Sequence, residues 1–149
     1  MNPEREFTAA RESDTLALGR ELARLFAGGG IVYLSGDLGV GKTTLVRGLL
    51  RALGYAGRVK SPSYGLIESY TVDGRHIHHL DLYRLSHGEE IVYLGLEDLL
   101  DEGSLLLVEW PERGPGWLPA PDWTISISDD DSGTRHIRLA PATQPDGGD

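Results

Sequence analysis

The sequence predicts an α/β fold, a mixed β-sheet flanked by helices with antiparallel hairpin additions. Three observations carry this reading. Two short runs, Ile31-Val32-Tyr33-Leu34 and Ser104-Leu105-Leu106-Leu107-Val108, are apolar on both faces, as central strands of a buried sheet are. Helical patterns flank the first of them on both sides. Elsewhere, extended runs are joined by turn signals at Asp73-Gly74 and between Asp129 and Gly133.

Residues 13–27 read as an amphipathic helix, with Leu18, Leu22, Leu25 and Phe26 on one face and Gly28-Gly29-Gly30 ending it. The apolar strand 31–34 follows, then a glycine-rich turn and a helix from Lys42 to Leu53, which Gly54 is placed to stop. Residues 65–72 and 75–82 form a hairpin about Asp73-Gly74. The stretch 88–101 reads as one or two short helical pieces, and the strand 104–108 ends abruptly at Glu109. Pro111, Pro115, Pro119 and Pro121 mark a long irregular connection. Beyond it Trp123, Ile125 and Ile127 alternate with polar residues, 129–133 turn, and 134–139 return as the second strand of a half-exposed hairpin. No internal repeat is present. A single domain over residues 1–140 is expected, with 141–149 as a disordered tail.

A chain of 149 residues is large enough for one domain with a real core. No run approaches membrane-spanning length, and the opening residues lack the apolar stretch of a signal peptide, so a cytoplasmic protein with no membrane partner is expected. With no cysteine, disulfides and thiolate metal sites are excluded. The net charge of −9 opposes non-specific nucleic-acid binding. Arg47, Arg51, Arg58 and Lys60 are then either a local basic surface or a solvated helix face.

Gly36-Asp37-Leu38-Gly39-Val40-Gly41-Lys42-Thr43 is a complete phosphate-binding loop in the strand–turn–helix setting that the motif requires, so the expected fold is P-loop NTPase-like. The glycines let successive backbone N–H groups converge on one anion, at the positive end of the following helix. Lys42 places a cation on the β/γ-phosphates, and the Thr43 hydroxyl can ligate Mg²⁺. A triphosphate hydrolase also needs carboxylates near the metal and the attacking water. Glu109 sits where an aspartate usually holds the metal. It either holds Mg²⁺, directly or through water, or orients the nucleophile. Asp81 is the second acid: His79, Asp81 and Tyr83 share one strand face, while His76, His78 and Leu80 share the other. Asp81 beside His79 is assigned to the catalytic site. His76 and His78 are assigned to a polar hairpin face, because spacing supplies no third metal ligand. Guanine readers carry an Asn-Lys-x-Asp segment, whereas the one asparagine here is Asn2, so ATP is the expected nucleotide.

Taken in order, Thr15-Leu16-Ala17-Leu18-Gly19, residues 36–44, Val59-Lys60-Ser61-Pro62-Ser63-Tyr64, His79-Leu80-Asp81-Leu82-Tyr83-Arg84-Leu85 and Leu107-Val108-Glu109-Trp110-Pro111 resemble the TsaE (YjeE) family. That family is the small ATPase of bacterial tRNA threonylcarbamoyladenosine synthesis, and the likeness covers about residues 13–140. The resemblance implies that Lys42 and Thr43 serve phosphate and Mg²⁺, with Glu109 at the metal and Asp81 in the hydrolytic site. Gly36, Asp37, Leu38, Gly39, Val40, Gly41 and Thr44 would complete the nucleotide cradle, and Thr15 would lie near the base. Residues 61–64 would form a mobile segment closing over the γ-phosphate side. Ser63 and Gly65 stand where the family commonly has threonines; Ser63 keeps a hydroxyl, but Gly65 offers no side-chain contact. Trp110 would either pack close to the site or serve the core, and Arg84 and Arg135 are candidates for phosphate or base contacts.

By the same resemblance, the ATPase acts on a two-protein complex, a catalytic metalloprotein and its non-catalytic paralogue. That complex transfers threonylcarbamoyl to an adenosine beside the tRNA anticodon, so contact with tRNA would be indirect. Residues 61–65 and the Arg47/Arg51 face are the candidate partner surfaces. The alternative is a small-molecule kinase transferring the ATP γ-phosphoryl group, although residues 111–133 do not look like the arginine-rich lid of such enzymes. A third class is a nucleotide-gated binding module with almost no hydrolysis.

Overall fold

In a computed structural model of the chain, the described residues are 4–37, 40–60, 62, 66–101 and 103–142. The elements run β1 (Arg5–Ala9), α1 (Glu12–Leu25), β2 (Gly30–Ser35), α2 (Lys42–Leu53), β3 (Ile67–Val72), β4 (Arg75–Asp81), α3 (Glu90–Tyr93), α4 (Leu96–Leu99), β5 (Leu105–Glu109), a 3₁₀ turn (Pro111–Arg113), β6 (Trp123–Asp129) and β7 (Arg135–Pro141). The expected tail lies outside the described residues from 143 onward.

One seven-stranded sheet has the order β1-β7-β6-β2-β5-β4-β3. The four inner strands β6, β2, β5 and β4 are parallel to their inner neighbours. The expected hairpins β3–β4 and β6–β7 are antiparallel. The second of these is built into the sheet, because β6 also pairs in parallel with β2, from Val32 opposite Trp123 to Ser35 opposite Ser126. Alternation in residues 123–139 reveals one wet face but carries no information about which strand lies alongside. β1 was not expected from the sequence. Its register on β7, Arg5 opposite Leu139 through Ala9 opposite Arg135, supplies what local pattern does not. Two ion pairs, Arg5 with Glu21 and Arg138 with Glu4, each 3.0 Å, tie it to α1 and β7.

The side-chain period of two on β5 divides the core. Leu105 and Leu107 pack with Val32, Leu34 and Ile77 under α1 and α2, whereas Leu106 and Val108 pack with Leu80, Leu82, Ile91 and Leu96 beneath α3 and α4. All five residues of β5 are buried, as its doubly apolar sequence requires. His78 ties the hairpin to the second layer. Its Nε2 donates to Leu99 O at 3.2 Å and its Nδ1 accepts from the Ser69 hydroxyl at 2.8 Å, so both ring nitrogens are engaged. Burial pushes the His78 imidazole below its usual range, and the nearby His76 acts the same way.

Gly54 ends α2 in the left-handed conformation, with φ of 108°. Arg51 donates to Tyr55 O at 3.0 Å and Gly57 O at 2.5 Å, so this guanidinium closes the helix end. α1 crosses α2 at two glycines. A Cβ on Gly19 would stand 2.2 Å from Gly48 C, and one on Gly48 would stand 2.5 Å from Leu16 O. Backbone contacts of this kind cannot yield as a flexible side chain can. Alanine favours a helix interior over glycine by about 1 kcal/mol, but overpacking costs about 1–3 kcal/mol. Gly48→Ala should therefore lower the denaturant midpoint of unfolding; a midpoint equal to or above the parent's would refute the close crossing.

Candidate active site

Strands that run parallel finish at one edge, and in open α/β sheets that edge is where ligands are bound. Here the register sets Leu34 of β2 and Asp81 of β4 on either side of Glu109, the last residue of β5. By strand parity Glu109 shares the face of Leu105 and Leu107, toward α2, and His79 shares the face of Ile77. The turn after β2 enters α2 through Gly41, at φ 110° and ψ 16°. Leu38 and Gly39 lie outside the described residues, as do Ser61, Ser63, Tyr64 and Gly65.

The loop accepts only glycine where it is tightest. A Cβ on Gly36 would come within 2.7 Å of Ile127 O and 2.9 Å of Val40 Cγ1. At Gly41 it would meet Arg135 Nε at 3.2 Å, in a backbone conformation that side chains disfavour. Lys42, only 5% exposed, opens α2 at its positive pole. Its ammonium donates to Gly36 O at 2.5 Å, lies 3.8 Å from Glu109 Oε1, and stands 4.2 Å from the centre of the Trp110 ring. A polyphosphate entering here meets a cation already held by three partners.

Glu109 is 3% exposed, and its other oxygen accepts from His79 Nε2 at 2.5 Å. His79 is fully buried, with no partner for Nδ1. As the sequence predicts, His79 lies beside Asp81 on one face of β4, near enough to act on its charge; its hydrogen bond goes to Glu109. Asp81 Oδ1 accepts from the Tyr83 N–H at 3.0 Å. Burial pushes the Asp81 carboxyl above the usual carboxylate range and the Glu109 charge pushes the same way, against the Tyr83 hydrogen bond and the cationic side.

The remaining candidates lie in the loop, in the first turns of α1 and α2, after β4 and on β7. Arg135 Nε donates to Val40 O at 2.6 Å, bracing the loop from β7. Thr43 and Thr44 are half-buried in the first turn of α2, and Asp37 is exposed. Thr15, on the first turn of α1, is 1% exposed with an unpartnered hydroxyl. A buried hydroxyl without a partner costs about 1–3 kcal/mol, a cost that the fold carries at the start of α1. Arg84 is exposed, and with Pro62, Leu66, Asp81 and Tyr83 it lines a cleft of about 40 Å³.

Trp110 stands at the site, in the left-handed conformation at φ 58°. Tyr83 packs 5.1 Å from it, and the Arg113 guanidinium lies over both rings at 5.3 and 5.8 Å. Neither Tyr83 nor Arg113 was assigned a role from sequence. Tyr83 lies within the His79–Leu85 segment of the family resemblance, while Arg113 sits in the proline-bearing connection and carries no local signal. Glu109, beside Lys42, and Thr43, in the first turn of α2, carry oxygens that are hard donors. Mg²⁺ needs few protein ligands, since it keeps waters and phosphate oxygens, so this donor set fits it.

Because its folded-state proton affinity is raised, Asp81 contributes stability below the ordinary carboxylate range that is lost as pH rises through its elevated pKa. Asp81→Asn keeps the acceptor for Tyr83 and removes the charge. At neutral pH it should unfold at an equal or higher temperature than the parent; a clear drop in thermal midpoint would contradict the assigned environment.

A family model described as threonylcarbamoyl adenosine biosynthesis protein TsaE matches residues 9–137. The tRNA threonylcarbamoyladenosine biosynthesis protein TsaE of Haemophilus influenzae is 47% identical over 113 residues, spanning 76% of this chain and 71% of that protein. The protein of the same name from Nostoc is 38% identical over 140 residues, spanning 91% and 84%. Among solved structures, Bacillus subtilis YdiB superposes with a TM-score of 0.79 at 26% identity, covering 96% of this chain and 88% of that one. The fold is thus of the P-loop NTPase-like α/β kind, with a mixed sheet between helices. With a match running through nearly the whole domain, the chain belongs to the TsaE family of tRNA threonylcarbamoyladenosine biosynthesis.

Proposed function

We propose that this chain is a Mg²⁺-dependent ATPase that supports the tRNA modification by acting on a two-protein threonylcarbamoyl-transfer complex, without transferring the group itself. The observation that carries this reading is the buried set Lys42, Glu109 and His79 beside Asp81, at the strand edge that opens into the glycine-rich loop. Backbone N–H groups at the start of α2 and the Lys42 ammonium bind the phosphates. The Thr43 hydroxyl and Glu109 would hold Mg²⁺, whose charge would offset that of the phosphates. Asp81 accepts a hydrogen bond from the attacking water; its raised proton affinity makes it a better base than an ordinary carboxylate. His79 holds Glu109 in place through a charge-assisted hydrogen bond.

Residues 111–133 carry one arginine, Arg113, unlike the arginine-rich lid of small-molecule kinases, which supports hydrolysis over the kinase alternative. ATP binding favours docking on the transfer complex, and hydrolysis changes or releases the assembly. tRNA is engaged through the partners, in keeping with the acidic chain.

The direct test is phosphate release from ATP and Mg²⁺, by this chain alone and with the purified two-protein complex. Slow release alone and a marked rise with partners is expected, with Lys42→Ala reducing both by on the order of 100-fold or more. Equal rates with and without partners would contradict the coupling, and normal hydrolysis by Lys42→Ala would contradict the site.

A further inference from the structure

We infer that the groove between the two short helices α3 and α4 and the 116–119 segment is the docking surface for a protein partner, one presenting an apolar side chain ringed by lysine or arginine. The groove encloses about 520 Å³ and is lined by Ile91, Val92, Leu96, Trp117 and Leu118, with Glu97 and Asp98 on its wall. Of the large apolar side chains most exposed among the described residues, Val92 at 61% and Trp117 at 46% line this groove, and Tyr93 at 87% follows Val92 in the chain. Leaving such surface in water is unfavourable, and patches of this kind with polar rims mark contact sites.

Charge selects the occupant. Between Arg84 and Arg113 the sequence has no lysine or arginine and carries eight carboxylates. Glu89, Glu97, Asp98 and Asp101 are exposed there. That field repels a nucleic-acid backbone and an anionic lipid surface alike. It also opposes a second copy of this chain, whose net charge is −9. A basic protein surface is attracted, with its apolar centre seated in the groove. The position carries a functional consequence. The wall at 116–119 follows Trp110 by one 3₁₀ turn, and Trp110 packs on the Lys42 ammonium. An occupant that moves this wall therefore acts on the phosphate site through the backbone of residues 110–116.

The inference rests on the proposed function for its partner, the two-protein threonylcarbamoyl-transfer complex. Binding of that purified complex should be measured at low and physiological salt for the parent, for Val92→Ser/Tyr93→Ser, and for Glu97→Lys/Asp98→Lys. Each variant should keep the parent's thermal midpoint and unstimulated phosphate release. The expected result is parent binding that weakens with salt, a loss of tenfold or more in both variants, and loss of partner stimulation. Parent-like affinity in both variants overturns the docking surface alone. No binding by the parent overturns the proposed function, and the docking surface with it. Binding of isolated tRNA by the parent that Val92→Ser/Tyr93→Ser weakens, with complex binding unchanged, would assign the face to an anionic occupant and overturn it too.

Discussion

The constraint on which the rest depends is the buried carboxylate of Glu109, held between the Lys42 ammonium and the His79 ring. Removing a carboxylate and an ammonium from water costs several kcal/mol per ion, and attraction between them offsets this only when their other polar atoms are also satisfied. Both conditions are met within a few ångströms. One oxygen of Glu109 faces Lys42, the other takes a hydrogen bond from His79, and Lys42 spends a further donor on Gly36 O. The phosphate loop, the last residue of β5 and the middle of β4 are thereby a single electrostatic unit.

Only one strand order builds that unit. β5 must lie between β2 and β4, all three parallel, so that the loop after β2 and the acids ending β4 and β5 open on the same edge. A strand in that position is covered on both faces, which explains why Leu105, Leu106, Leu107 and Val108 are all apolar. The glycine crossing of α1 on α2 draws the first helix close, bringing the Thr15 hydroxyl into the buried interior at the start of α1. Past Glu109, the left-handed Trp110 turns the chain back over Lys42 and into the wall of the α3/α4 groove. The proposed chemistry and the proposed partner contact would then share one short stretch of backbone.

What was legible in the sequence was whatever a local pattern dictates. The glycines, Lys42 and Thr43 of the loop stand at fixed spacing, the doubly apolar runs identify central strands, and Asp73-Gly74 specifies its hairpin. Glu109 was legible because an acid ending a buried strand has few other reasons to be there. Pairing in space was not legible. β1 has Glu6 and Thr8 on its wet face and depends on β7 for its identity, and the parallel pairing of β6 with β2 joins segments about ninety residues apart. Strand parity put His79 and Asp81 on one face of β4, as found; the hydrogen bond from His79 to Glu109 was not legible, because Glu109 lies on the adjacent strand. Arg113 and the exposed Val92 and Tyr93 acquire meaning only once the 111–119 connection has been folded against its surroundings.

The most direct test of this electrostatic unit uses Glu109→Gln, which preserves shape and a hydrogen bond to His79 while removing the charge. ATP affinity and single-turnover phosphate release should be measured on the same preparation with Mg²⁺. If Glu109 both restrains Lys42 and serves the metal, affinity stays within a few-fold of the parent or tightens, because the phosphates no longer compete with a carboxylate for the ammonium. Release meanwhile falls by on the order of 100-fold. Parent-like release would contradict this placement of Glu109, and so would a loss of ATP binding as complete as that from removing Lys42.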